Sequence, residues 1–119
     1  MSIKLVILKS GEDVIADVEE MLVNEKPVGY FFSYPCRVKL IGKAPQKDGN
    51  SRLPFKMELT PWAPLSKTQR IPVVADWVIT IMEPIDDLRR MYERGLKEYE
   101  RRKSAADSVD EQPDDSDSD

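Results

Sequence analysis

The sequence predicts a mainly β domain, a small antiparallel barrel of five strands followed by one C-terminal α-helix and a disordered acidic tail. Three observations predict it. Short β-branched runs with period-2 alternation recur through the first 82 residues. The apolar period then switches to steps of three and four after Pro84. The last stretch, Ser104 to Asp119, holds seven acids and no basic residue. The expected boundaries are residues 1–83 for the barrel, 84–103 for the helix and 104–119 for the tail.

The first strand is Ile3–Leu8, stopped by Lys9-Ser10-Gly11-Glu12-Asp13, where Gly11 is free to take a positive φ in a tight turn. Val14, Ala16 and Val18 alternate with Asp17 and Glu19 as a half-buried second strand, broken by Asn24-Glu25-Lys26-Pro27. The third strand starts near Val28. It carries Tyr30, Phe31, Phe32 and Tyr34, which alternation sends to opposite faces as core plus interface. Pro35 lacks the N–H a ladder needs, so a bulge or sharp bend is expected there before residues 37–41 resume. Residues 42–52 read as an exposed loop with three cations, Lys43, Lys47 and Arg52.

Leu53, Phe55, Met57 and Leu59 alternate with polar residues as the fourth strand, closed by Pro61-Trp62-Ala63-Pro64. Trp62 packs the core, stacks a base or plugs a subunit contact, and packing is the simpler reading. The fifth strand, Ile71–Ile81, puts Ile71, Val73, Ala75, Trp77, Ile79 and Ile81 on one face, with Val74 and Val78 on the other. Apolar residues on both faces predict contact on both, supplied by another subunit or by the helix that follows. In that helix Ile85, Leu88, Tyr92, Leu96 and Tyr99 form an apolar stripe with Met91 beside them. Asp86 and Asp87 suit its positive end, and Arg101, Arg102 and Lys103 its negative end. Gly95 interrupts the stripe at a cost of about 1 kcal/mol.

Composition excludes much chemistry. The chain of 119 residues has no histidine and a single cysteine, Cys36. That removes imidazole bases, Ser-His and Cys-His pairs, internal disulfides and cysteine zinc clusters. The adjacent acid pairs Glu12-Asp13, Glu19-Glu20 and Asp86-Asp87 form no spaced dyad, and no phosphate-binding or nucleophile motif is present. The expectation is a non-catalytic protein with no metal or cofactor. No run is long and apolar enough for a membrane span and the first residues are not a signal peptide, so a soluble, cytoplasmic location is expected.

The formal net charge is −4, but setting aside the seven tail acids leaves 15 acidic against 18 basic residues, so the body is +3. A basic body with an acidic tail fits either a solubilising tail or one that competes with nucleic acid for basic patches.

A core of this size limits the fold to SH3-like, OB or Sm-like barrels. Leu8-x-x-Gly11-x-x-Val14-x-Ala16-x-Val18 resembles the first Sm motif, and residues 72–81 lie where the second would close the barrel. Over the core and into the helix the chain is similar to small Sm-like proteins of marine cyanophages, which would place it in the host cytoplasm. The resemblance implies a homo-oligomeric ring of about five to seven copies, in which the fourth strand of one subunit pairs with the fifth strand of the next. That assigns Met57, Leu59, Val74 and Val78 to the interface. It also implies single-stranded RNA as a partner near the pore. The chain departs from the motif there, because Leu22 stands where the family has an acid or Asn and the Arg-Gly pair of the second motif is missing. Asn24, Lys26, Lys67 and Arg70 are the substitutes in the flanking loops, with ordinary solvated loop polars as the competing reading. The family's helix precedes the barrel, whereas this one follows it. Two functions stand side by side: an RNA-binding or RNA-regulatory ring, and a ring-forming structural or protein-interaction module without nucleic acid.

Overall fold

A computed structural model describes residues 1–42 and 55–109. The order is β1 (Ile3–Leu8), β2 (Asp13–Val23), β3 (Lys26–Leu40), β4 (Met57–Pro61), β5 (Arg70–Val74), a 3-10 turn (Ala75–Trp77), β6 (Val78–Met82) and α1 (Asp86–Val109). The mainly β class and the C-terminal helix follow the sequence. Lys43, Lys47, Arg52 and Leu53 lie outside the described residues, as does the chain after Val109.

The strands form one antiparallel sheet of six, not five, in the order β4-β3-β2-β1-β6, with β5 also paired to β3. β3 is long enough to serve two partners on one edge. Gly29–Ser33 pairs with β5 and Cys36–Leu40 pairs with β4. The two segments meet at the bend expected at Pro35, where Tyr34 and Pro35 together oppose Ala16 between the pairs Asp17↔Ser33 and Ile15↔Cys36. Tyr34 takes φ 51°, a left-handed conformation that a bulky residue adopts only when its surroundings fix it.

The expected fifth strand is two strands. β5 pairs with β3 whereas β6 pairs with β1, so the chain has to turn between two partners, and Ala75–Trp77 makes that corner. Among the described residues no ladder joins β5 to β6, so the sheet curls without closing into a hydrogen-bonded barrel. The corner also breaks the predicted phase. Val73 is buried, and beyond the turn Val78 and Ile81 face the core. Ile79 is the extra residue of a bulge between Leu8↔Val78 and Ile7↔Thr80 and is 61 % exposed, not inward.

Alternation gives the sheet two apolar faces. Val6, Leu8, Val14, Ala16, Val18, Phe32 and Val73 make the inner core, drawn from four strands. The outer face presents Ile3 and Ile15 to Leu88 and Tyr92 of α1, so the helix supplies the second contact. That contact covers β1 to β4 rather than the 71–81 segment.

Gly11 has φ 91°, and its N–H donates to the Leu8 carbonyl at 2.8 Å, as the first turn required. α1 starts at Asp86, two residues later than expected, with the Arg89 N–H donating to the Ile85 carbonyl at 3.0 Å. It runs through Val109 and takes in 104–109, which the sequence assigns to the disordered tail. Ala105 and Ala106 are strong helix formers, and Arg101, Arg102 and Lys103 consequently stand before the last turn rather than in it. No helix among the described residues is long and apolar enough to cross a membrane.

Candidate functional site

The four residues proposed for RNA contact divide between two places. Val23 pairs with Lys26, leaving Asn24 and Glu25 as a two-residue hairpin turn with φ 53° and 65°. Both residues lie in the left-handed region, which is the type I′ geometry that matches strand twist. Asn is among the residues that adopt it at least cost, so the backbone accounts for Asn24. Lys26 is exposed beside it. Arg70 opposes Ser33 at the other end of the β3–β5 ladder. Seven residue steps of strand separate Lys26 from Ser33, about 23 Å. The chain on its own does not gather the four into one site.

Arg70 is already engaged. Its Nη2 donates to Glu19 Oε1 at 2.8 Å, and its guanidinium lies 3.7 Å from the centre of the Phe31 ring. Phe31 is thus covered from outside, while Tyr30 and Phe32 on the alternate positions face the inner core. Trp62 packs on that core too, 6.1 Å from Phe32 between ring centres, and its indole N–H donates to Glu12 Oε1 at 3.3 Å.

The proposed interface residues also divide. Met57 and Leu59 pack within the chain, against the cluster under α1. Val78 packs on the inner core. Val74 is 65 % exposed, and Trp77 and Ile79 extend an apolar strip along the same turn of chain. Among the described residues β5 and β6, which flank that turn, are each paired on one side only.

A concavity of about 480 Å³ lies where α1 crosses the β3 bend. Tyr34, Pro35 and Cys36 form one wall, the segment from Leu59 to Gln69 forms a second, and Gly95, Leu96 and Tyr99 form the helix side. The walls are held firmly. Tyr92, 1 % exposed, donates its hydroxyl to the carbonyls of Ser33 and Tyr34 at 3.0 and 2.9 Å. The Tyr34 N–H donates to the Gln69 carbonyl at 2.7 Å, and the Gln69 side-chain amide donates to the Ala63 carbonyl at 3.0 Å. The Tyr34 and Tyr99 rings meet at 5.4 Å between centres, tilted by 58°. Burial pushes the Cys36 thiol above its ordinary pKa, which keeps it protonated and weakly nucleophilic. Lys67 stands on the rim.

Sequence reasoning treated Gly95 as a blemish in the stripe and did not reach this cleft. The available signal was the helical spacing of Tyr92, Gly95 and Tyr99, which puts a glycine on the sheet-facing side. Among the described residues no three metal-ligating side chains come together. No family model matches the chain, and no curated protein matches it.

Proposed function

We propose that this protein is a non-catalytic, homo-oligomeric module of Sm-like design, assembled head to tail by pairing β5 of one copy with β6 of the next. The carrying observation is the pair of edges. β6 bears no charged residue and β5 only Arg70, which is engaged with Glu19; among the described residues both are hydrogen-bonded on one side only, and both bear large exposed aliphatics, Val74 and Ile79 at 65 and 61 %. Edge strands with little charge and no cover are templates for another strand. Two different edges on one chain give a heterologous contact, which repeats until the rotation closes a ring.

The partner of such a ring is the second question. A role in RNA binding or regulation rests on Lys26 and Lys67, repeated by every copy and strengthened by avidity. The engagement of Arg70 with Glu19 and Phe31, and the backbone role of Asn24, favour the other reading, a ring that meets protein partners without nucleic acid.

Native mass spectrometry of protein purified without nuclease tests both at once. A closed ring of defined copy number supports the assembly, and a monomer at micromolar concentration overturns it. An oligonucleotide adduct that disappears in Lys26→Ala/Lys67→Ala supports RNA, and a bare ring supports protein partners.

A further inference from the structure

The cleft at the β3 bend has an empty place where the helix pattern calls for a side chain. Leu88, Tyr92, Leu96 and Tyr99 make the stripe that α1 turns toward the sheet, and Gly95 falls on that stripe, three residues after Tyr92. A Cβ built on Gly95 would meet nothing within 4 Å. Close packing therefore does not require glycine there, and glycine is among the least favourable residues for a helix interior. What its absent side chain leaves is the helix side of a concavity of about 480 Å³, within the size range of small-molecule sites.

The lining also states a chemistry. Among the described residues it carries no charged side chain apart from Lys67, and no carboxylate. Lys67 makes no ion pair among the described residues. Around it stand three tyrosine rings, three prolines and two leucines. A flat apolar body fits such walls, and one negative charge at the rim complements the one cation.

We propose that this cleft binds a small molecule made of an aromatic or alicyclic body and a single carboxylate. The body lies over Gly95 between Pro35 and Tyr99, and the carboxylate meets the Lys67 ammonium. Val74, Trp77 and Ile79 do not line the cleft, so ligand binding and assembly through the β5 and β6 edges are separate properties with separate tests.

The experiment is a calorimetric titration of the full chain with naphthylacetate and with its uncharged isostere naphthylacetamide. The expected result is one naphthylacetate per chain, bound about tenfold more tightly than the amide. Lys67→Met should bring the two affinities together. Gly95→Leu should fill the cleft and remove binding of both, with a melting temperature no lower than that of the wild type. Absence of saturable binding up to millimolar naphthylacetate overturns the proposal. Equal affinity for acid and amide in the wild type does the same, as does wild-type affinity in a folded Gly95→Leu. Lys67 is on the surface, so its variant decides the matter even if Gly95→Leu does not fold.

Discussion

The Tyr92 hydroxyl, carried on α1, donates to the main-chain carbonyl of Tyr34 at 2.9 Å, at the one bulky residue of the sheet held with φ 51°. The same hydroxyl reaches the Ser33 carbonyl at 3.0 Å. These are the carbonyls where β3 leaves β5 and turns toward β4: Ser33 is the last residue paired to Arg70, and Tyr34 falls in the bulge between the pairs Asp17↔Ser33 and Ile15↔Cys36. A strained residue persists when its surroundings over-determine it. Tyr92 does so from the helix side, and the Gln69 carbonyl accepts the Tyr34 N–H from the loop side.

Tyr92→Phe keeps the ring and removes the donor. The one hydroxyl proton shared between the two carbonyls is then lost, which should cost about 1–2 kcal/mol in a urea unfolding titration. The wild-type midpoint in Tyr92→Phe would show that water replaces the hydroxyl without penalty.

Alkaline pH should act at the same place. Burial raises the Tyr92 phenol well above its ordinary 10.0, and burial raises the Cys36 thiol above 9.0. Each group is held neutral in the fold, so its contribution is fully present below the unfolded pKa and is lost as pH rises toward the folded value. Unfolding midpoints should be flat up to about pH 9 and fall above it. In Tyr92→Phe the fall above about pH 10 should be shallower, and an identical slope would remove Tyr92 from the account.

Local chemistry announced part of this arrangement. Gly11 marked the first turn, Asn24 and Pro27 the hairpin, and Pro35 the bend, because glycine and asparagine admit a left-handed backbone and proline fixes φ and lacks an N–H, whatever surrounds them. The segment 71–81 misled because unbroken alternation says nothing about a change of partner. β5 answers to β3 and β6 to β1, and the corner between them resets which residues face inward. The cleft was less legible still. It joins residues near 35, 65 and 95, and only the folded chain makes them neighbours.

Gly29 is a second position whose reason lies in the fold. A Cβ there would stand 2.7 Å from the Val73 carbonyl oxygen, a backbone atom of β5 that has no side-chain freedom to withdraw. Gly29→Ala should therefore push β5 off β3 and cost about 1–3 kcal/mol. Gly95→Ala, made in open space, should instead add about 1 kcal/mol of stability. Thermal melts of the two variants should move in opposite directions, and a stable Gly29→Ala would mean that β5 sits farther from β3 than this register places it.

The hairpin turn predicts a gain. Glu25 occupies a left-handed position with φ 65°, where a side chain costs energy that glycine avoids. Glu25→Gly converts the turn to the preferred Asn-Gly pair and should stabilise the chain by about 0.5–1 kcal/mol. Since the substitution also removes a carboxylate beside Lys26, the gain is to be measured at moderate salt, where exposed charges are screened. A loss at moderate salt would argue against a type I′ turn.

Ile79 separates folding from assembly. Its place in a β-bulge leaves it 61 % exposed, so within one chain Ile79→Lys removes little packing and should shift stability by no more than about 0.5 kcal/mol. A lysine on an edge strand is also the device by which natural sheets refuse a further strand. If β6 receives β5 of a neighbouring copy, Ile79→Lys should dissociate the assembly while the melting transition of the dissociated chain stays cooperative. Sedimentation velocity of wild type and variant at equal concentration reads the difference directly. An Ile79→Lys protein that sediments as the wild-type oligomer would move the interface away from the β6 edge, whereas a variant that fails to fold would place Ile79 inside the core after all.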